Sequence, residues 1–463
     1  MTDPGTRSSA AELLIRLDRD VATPLRVQLE QALRDQIRAG VLAADAPMPS
    51  SRVLAADLGV SRRLVVEAYE QLVAEGYLTS AERSATRVGS VAPTAGTAVG
   101  DEPWIPRYDL RPGLPALSEF PRAAWLRALS HALRQAPDSA FARPEPRGSA
   151  VLRHAVADYL RRTRAVVAHP DRIVICNGFT QALSLLTHAL PGPGGRPVIA
   201  LENPGTPGRD RTITLAGGNW MPVPVDSEGI RTDQIPGDAH AAVVTPAHQF
   251  PLGAVLSPHR RAALRDWARD GRLVVEDDYD AEFRYDRQPL GAVQGLAPEH
   301  VAYVGTMSKT LSPALRLGWL VLPCALVEPV ARAKRAQDVG SPVLDQLALA
   351  HFMDSGAYER HLRRIRKHYH RNRDELVAAL QRHLPDARVT GIAAGIHLVL
   401  RPSGDVDADR LVAAAAERGL ALTSLTRYLL GDDRDAGGRV VLGYGNIRSG
   451  TIEPAVRTLA ELV

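Results

Sequence analysis

The stretch Gly305-Thr306-Met307-Ser308-Lys309-Thr310-Leu311-Ser312-Pro313-Ala314-Leu315-Arg316-Leu317-Gly318 decides how the rest of the chain is read. The sequence contains three lysines, and two of them, Lys334 and Lys367, stand in arginine-rich runs of helical pattern. Lys309 is the exception. In a chain that uses arginine almost wherever it needs positive charge, a retained lysine points to a task that a guanidinium cannot perform. Schiff-base formation is such a task, because it needs an amine able to lose its proton. Hydroxyls at Thr306 and Ser308 and a fixed cation at Arg316 accompany it, the groups that hold a phosphate beside an imine-forming amine. The competing reading is a buried strand, residues 301–305, running into a loop that happens to contain a lysine.

Composition leaves room for this chemistry and for more than one domain. At 463 residues the chain is too long for one ordinary core. Its 45% hydrophobic and 23% charged residues are those of a water-soluble globular protein. No apolar run is long enough to span a bilayer, so no membrane partner is expected. The polar start, residues 1–11, lacks the apolar core of a secretion signal, which makes the cytoplasm the expected location. Cys176 and Cys324 do not form a paired-cysteine metal spacing, and no metal site is expected. The net charge of +4 is small, and residues 1–90 carry 11 arginines against 12 acids. Any nucleic-acid contact there must come from local clustering and not from bulk charge.

That clustering has a recognisable frame. Leu25, Leu29, Leu33 and Ile37 recur at helical spacing after Pro24, and Gly40 closes the segment. Ser50-Ser51-Arg52 opens a short helix with Leu54, Ala55 and Leu58 on its apolar face. Gly59-Val60 makes a turn, and Ser61 caps a third helix whose Leu64, Val65, Ala68 and Leu72 face inward. Arg62 and Arg63 are left to point outward. Two short helices joined by a glycine turn, the second opening with arginines, make a helix-turn-helix, although a packing module without a ligand has the same pattern. Residues 90–106, rich in Ala, Thr, Gly and Pro, read as a linker.

Beyond the linker, short apolar runs at 172–176, 198–201, 241–245, 273–276, 301–305 and 318–322 alternate with helical patterns. This predicts an α/β domain with a parallel or mixed sheet covered on both faces, its functional loops at the carboxyl ends of the strands. Asn177-Gly178-Phe179-Thr180-Gln181 follows the first run and opens a helix, where backbone N–H groups suit a phosphate. Glu276-Asp277-Asp278-Tyr279 ends a later run. A carboxylate there suits a pyridinium nitrogen and a phenol two residues on suits a ring hydroxyl, while the plain alternative is a solvated acidic turn.

Several motifs carry resemblances. Residues 305–318 resemble the cofactor-lysine segment of fold-type I, pyridoxal-phosphate-dependent aminotransferases. Pro49-Ser50-Ser51-Arg52, Leu58-Gly59-Val60-Ser61-Arg62 and Glu75-Gly76-Tyr77-Leu78 resemble the winged-helix DNA-binding domain of GntR-type bacterial regulators. Glu202-Asn203-Pro204-Gly205, Thr245-Pro246-Ala247-His248-Gln249-Phe250-Pro251-Leu252-Gly253 and Asp277-Asp278-Tyr279-Asp280-Ala281-Glu282-Phe283 resemble the aminotransferase-like domain of MocR-type regulators, which fuse the two modules in this order.

The resemblance implies a multidomain protein: a winged helix-turn-helix at 20–89, the linker at 90–106, and a fold-type I aminotransferase-like domain at 107–463. It implies pyridoxal phosphate on Lys309, Asp277 at the pyridine nitrogen and Tyr279 at the ring hydroxyl. Gly178, Phe179, Thr180, Thr306, Ser308 and Arg316 are implied around the phosphate, with His248 among the cofactor contacts and Arg427 on an effector carboxylate. Arg52, Arg62 and Arg63 become candidates for groove contacts on an operator duplex, and Ser50, Ser61, Arg83 and Arg87 for phosphate or wing contacts.

The implied function is transcription regulation by a homodimer responding to an amine effector or to pyridoxal phosphate itself. An aminotransferase carrying a DNA-binding domain is the alternative. The chain departs from its relatives' pattern at Thr206, where they commonly place an aromatic residue by the ring. It departs again at Phe250, where plain aminotransferases carry asparagine, and at Arg143, which stands in place of a tyrosine that reaches the partner subunit's phosphate.

Overall fold

The computed structural model describes residues 15–80, 85–90, 104–285, 290–431, 437–448 and 450–463. The wing residues Arg83 and Ser84, most of the expected linker and the polar start lie outside the described residues. The chain divides between Trp104 and Ile105 into two units.

In the first unit the apolar spacing becomes α1 (Leu25–Arg38), α2 (Ser51–Leu58) and α3 (Arg62–Ala74). Leu29, Leu33 and Ile37 from α1 meet Leu54 and Ala55 from α2 and Val65, Ala68, Tyr69 and Leu72 from α3 in one core. Both serines that open helices act as caps. Ser50 accepts the Val53 N–H at 3.3 Å and Ser61 accepts the Leu64 N–H at 3.2 Å, each satisfying an N–H that the helix cannot. Gly59 ends α2 at a left-handed φ of 62°, which a side chain would resist, and so turns the chain into α3. The Tyr69 hydroxyl donates to the Pro49 carbonyl at 2.9 Å and fixes the loop before α2. Strands Leu78–Thr79 and Arg87–Val88 pair antiparallel as the base of the wing.

The second unit is built on an eight-stranded sheet. Its order is Ile173–Cys176, Gly318–Val321, Val301–Thr306, Leu273–Asp278, Ala241–Val244, Val198–Asn203, Asn219–Asp226 and Gly229–Ile230. Gly318–Val321 runs antiparallel to both neighbours, and the six strands from Ile173–Cys176 to Asn219–Asp226 that flank it share one direction. Alternate residues serve opposite faces. Ile173, Ile175 and Tyr303 join helices Arg122–Gln135, Ala150–Arg164 and Val343–Asp354, whereas Val174, Cys176, Ala302 and Val304 join helix Phe179–Ala189. The strand Asn219–Asp226 has no counterpart in the sequence reading, because Pro222 and Pro224 interrupt its pattern near the sheet edge.

A four-stranded antiparallel sheet, ordered Arg388–Thr390, His397–Arg401, Val440–Gly443 and Thr423–Ser424, completes the unit. The 27-residue helix Ala357–His383 buries Ile365, Tyr369, Leu376 and Leu380 against it.

Two details go beyond the sequence reading. Glu276, Asp277 and Asp278 end a buried strand, and the alternative of a solvated acidic turn falls. Burial is tolerated because each carboxylate has partners: Glu276 accepts the Val293 and Gln294 N–H groups at 2.9 Å, Asp277 meets Arg209, and Asp278 meets Arg164 and Tyr303. Lys334, placed by pattern in a basic run, is fully buried, its ammonium donating to Asp338 at 2.7 Å and Ser341 at 3.0 Å.

Candidate functional site

The shared direction of the strands gathers the chemistry at one edge. The segments following Ile173–Cys176, Val198–Asn203, Ala241–Val244, Leu273–Asp278 and Val301–Thr306 carry Gly178, Thr206, Phe250, Tyr279 and Lys309, and Arg316 precedes Gly318–Val321. All of these but Gly178 line a cavity of about 700 Å³, together with Asp277, Phe179, Thr180, Thr306, Ser308 and Arg427. A surface groove of about 730 Å³ elsewhere in the unit is walled by charges that pair with one another, Arg161 with Asp158 and Arg162 with Glu359. It holds no amine poised for chemistry, and the first cavity is the candidate site.

The Lys309 ammonium donates to the Gly113 carbonyl at 2.5 Å. Burial lowers its pKa, opposed by the negative charges of Asp280 and Asp277, so the amine is drawn toward its nucleophilic neutral form. At one end of the cavity the Thr306 and Ser308 hydroxyls lie 2.9 Å apart, and the Arg316 guanidinium donates to the Asn177 carbonyl beside the start of helix Phe179–Ala189. Gly178 takes φ 87°, a left-handed backbone conformation that favours glycine at this turn. Hydroxyls, a guanidinium and the N-terminus of a helix form a donor set that fits a phosphate.

On the other side Asp277, 5% exposed, faces the cavity. Burial pushes its carboxyl up while Arg209, in direct ion pair with it, pulls it down. The Tyr279 hydroxyl donates to the His248 carbonyl at 3.0 Å and lies 3.2 Å from the His248 ring. Amine, phosphate-type donor set, carboxylate and phenol in one cavity fit pyridoxal phosphate.

His248 does not line the cavity. It stands behind Tyr279, its Nδ1 2.9 Å from Asp280, and thereby positions the phenol instead of facing a ligand. His397, which does line the cavity, has a ligand atom within 4.8 Å of those of His248 and Asp280. The His248 ring packs so closely on Gly395 that a Cβ there would lie 2.2 Å from it. Thr206 and Phe250 are in the wall, and Arg143 is exposed outside it.

Sequence reasoning missed Arg209, Arg111, His397 and Tyr428, all in the wall. Arg209 sits three residues after Thr206 and had the one available signal, a basic residue shortly after a strand. Nothing local marked the others.

In the first unit Arg52, Arg62, Arg63 and Arg87 are exposed. Arg63 is not free, however: it pairs with Glu67 at 2.7 Å, one helical turn on. Arg62 approaches the Ser51 hydroxyl at 3.4 Å, and Arg87 donates to the Asp45 carbonyl at 2.7 Å.

Residues 25–88 match the family described as bacterial regulatory proteins, gntR family, and residues 116–456 match aminotransferase class I and II. The chain is similar over its whole length to the HTH-type pyridoxine biosynthesis transcriptional regulator PdxR of Corynebacterium glutamicum, 34% identical across 98% of this chain and 99% of that protein. It is likewise 33% identical to the probable rhizopine catabolism regulatory protein MocR of Rhizobium meliloti, across 96% and 95% of the two. Among solved structures, an archaeal alanine:glyoxylate aminotransferase superposes with a TM-score of 0.70 at 25% identity, covering 77% of this chain and 90% of that one. The α-aminoadipate aminotransferase LysN of Thermus thermophilus, complexed with N-(5'-phosphopyridoxyl)-L-leucine, gives 0.67 at 25% identity over 76% and 91%.

Proposed function

We propose a function from the premise that this chain belongs to the MocR-type GntR regulators, in which a helix-turn-helix unit is joined to an aminotransferase-like domain. It is a pyridoxal-phosphate-dependent transcription regulator, and its second unit acts as a sensor. The observation that carries the sensor reading is Lys309, a half-buried amine of lowered pKa, sharing one cavity with a phosphate-type donor set and a buried carboxylate.

Bound pyridoxal phosphate supplies an aldehyde that condenses with amines and a ring that withdraws electrons from the condensed carbon. This chain's residues do the rest. Lys309 offers the amine, and the Gly113 carbonyl holds it by accepting its hydrogen bond. Arg316, Thr306, Ser308, Thr180 and the N–H groups at Phe179 and Thr180 would hold the phosphate. Asp277 would serve the ring nitrogen, and Tyr279, whose phenol is positioned by His248 with Asp280, would serve the ring hydroxyl. Arg427, exposed on the cavity wall, takes the carboxylate of an amino-acid effector.

An amine effector bound in this cavity would change what the cavity walls hold. If that difference favours one arrangement of the units, operator affinity changes by linkage. Pyridoxal phosphate itself serves as the effector if its own arrival is the differential event. Two winged helices brought together by a homodimer read a repeated operator, each on one half-site. The cytoplasm, where the operator lies, is the proposed location; among the described residues no helix is long and apolar enough to cross a membrane.

The test uses the full chain loaded with pyridoxal phosphate. Borohydride reduction followed by peptide mapping is expected to find the cofactor fixed to Lys309 and to lose it in Lys309→Ala. A group fixed to Lys334 or Lys367 refutes the site. Candidate amino acids are then added while keto-acid release and operator binding are followed together. Altered operator binding with little turnover supports the sensor. Sustained turnover without effect on DNA makes the protein an aminotransferase with a DNA anchor.

A further inference from the structure

Lys334 is the second of the three lysines that the chain keeps among its arginines, and no role proposed above uses it. It lies on the helix Cys324–Asp338, and its side chain is fully buried. Its ammonium donates to Asp338 at 2.7 Å, to the Ser341 hydroxyl at 3.0 Å and to the Gln181 side-chain oxygen at 3.4 Å. Three N–H donors thus meet three acceptors, and the Asp338 carboxylate matches the charge. The acceptors converge on one atom, which suits a compact ammonium and not the planar fork of a guanidinium.

The same acceptors reach on to Asn177. Gln181 accepts the Asn177 backbone N–H at 2.8 Å and donates to Asp338 at 2.7 Å, while the Ser341 hydroxyl donates to the Asn177 side-chain oxygen at 3.2 Å. From the opposite side the Asn177 carbonyl accepts the Arg316 guanidinium. Asn177 stands between strand Ile173–Cys176 and Gly178, where the chain turns into the helix Phe179–Ala189. With its N–H, its amide oxygen and its carbonyl all held, this residue sets the direction in which the first N–H groups of that helix point. Gln181 and Ser341 hold it, and Lys334 holds both. The arrangement is kept against backbone strain: Val339, in the turn that returns Ser341 to the ammonium, takes φ 64°, which a β-branched side chain resists.

We propose that Lys334 is a positioning residue for the cofactor's phosphate, tying Gln181, Asp338 and Ser341 around Asn177 so that the turn at 177–180 keeps the geometry a phosphate needs. The inference rests on the reading that pyridoxal phosphate binds at Lys309 with its phosphate at this turn. Lys334, Gln181 and Ser341 do not line the cavity, so they act from behind it. Asp338 neutralises the ammonium, so the contribution is one of position and not of net charge.

The experiment compares the full-length wild type with two variants. Lys334→Met combined with Asp338→Asn removes the ammonium without stranding the carboxylate, and Ser341→Ala cuts one link to Asn177. Uptake of pyridoxal phosphate is titrated beside uptake of pyridoxal, which has the same ring and aldehyde but no phosphate, and borohydride fixation to Lys309 is mapped in each protein. A hydrogen bond to a charged group is worth about 10-fold in affinity or more. The double variant is therefore expected to lose about 10-fold or more for pyridoxal phosphate and little for pyridoxal, with a smaller loss of the same kind in Ser341→Ala. Equal losses for the two ligands mean that the network serves stability alone and overturn the proposal, as does undiminished affinity for pyridoxal phosphate. Ser341→Ala keeps the test in force if the double variant does not fold. A wild type with nothing fixed to Lys309 removes the cofactor reading itself, whereas fixation to Lys309 with equal losses removes only this inference.

Discussion

Removing the two arginines that open α3 tests the assignment of DNA reading to this helix. Arg62 and Arg63 are exposed and contribute nothing to the core of Leu29, Leu33, Val65 and Leu72, so Arg62→Ala and Arg63→Ala should change stability by no more than about 0.5 kcal/mol. Their effect on DNA is set by what each contacts. An arginine that reads a base edge is worth about 1–3 kcal/mol, roughly 5- to 150-fold in affinity, and its loss relaxes sequence preference. One that neutralises a phosphate lowers the slope of log affinity against log salt by about 0.9 and weakens all sequences alike.

The two arginines do not start equal. Arg63 must leave Glu67 to reach DNA, and an exposed pair one turn apart is worth about 0.3–0.5 kcal/mol. Arg62→Ala is therefore expected to cost more than Arg63→Ala, and Glu67→Gln to tighten binding by about twofold. The assay is fluorescence anisotropy on genomic fragments selected by the wild-type protein, repeated across a salt series, with cofactor uptake as the control. Unchanged affinity and slope in the double variant would refute the placement of α3 in the groove. Joint loss of DNA binding and cofactor uptake would point to misfolding instead.

Two further outcomes concern the scaffold. Arg164→Met strands Asp278 as a buried charge, and should destabilise the second unit by about 3–5 kcal/mol in denaturant unfolding. Adding Asp278→Asn should recover part of that loss, and no recovery would mean that packing, not charge, dominates there. In the first unit Arg34 donates to both Glu75 oxygens, and with Gln71 holds that carboxyl down at about 2. A lowered folded-state value contributes stability fully above the ordinary carboxyl range and loses it as pH falls from about 4.5 toward 2. Hydrogen exchange of peptides spanning 25–75 should reveal this loss, below about 1 kcal/mol for so exposed a pair, and Glu75→Gln should flatten it.

The sequence by itself determined what depends on neighbours along the chain. Helical spacing gave α1, α2 and α3, capping serines gave their starts, and short β-rich runs gave six of the eight strands of the large sheet. A single lysine outside the basic runs, set between hydroxyls and an arginine, marked the centre of the site. Such features are legible because periodicity, caps and glycine turns act within a few residues.

The tertiary structure decided everything that depends on which distant segments meet. Only the parallel sheet brings Arg209 to Asp277 across 68 positions and turns an apparent acidic turn into a buried, paired strand. Only packing places His248 behind Tyr279 and buries Lys334 completely. Charge carries no periodicity, so a sequence records that a cation exists and not which anion neutralises it. The partner is chosen by the fold, because burial raises the cost of leaving a charge alone and makes the contact specific.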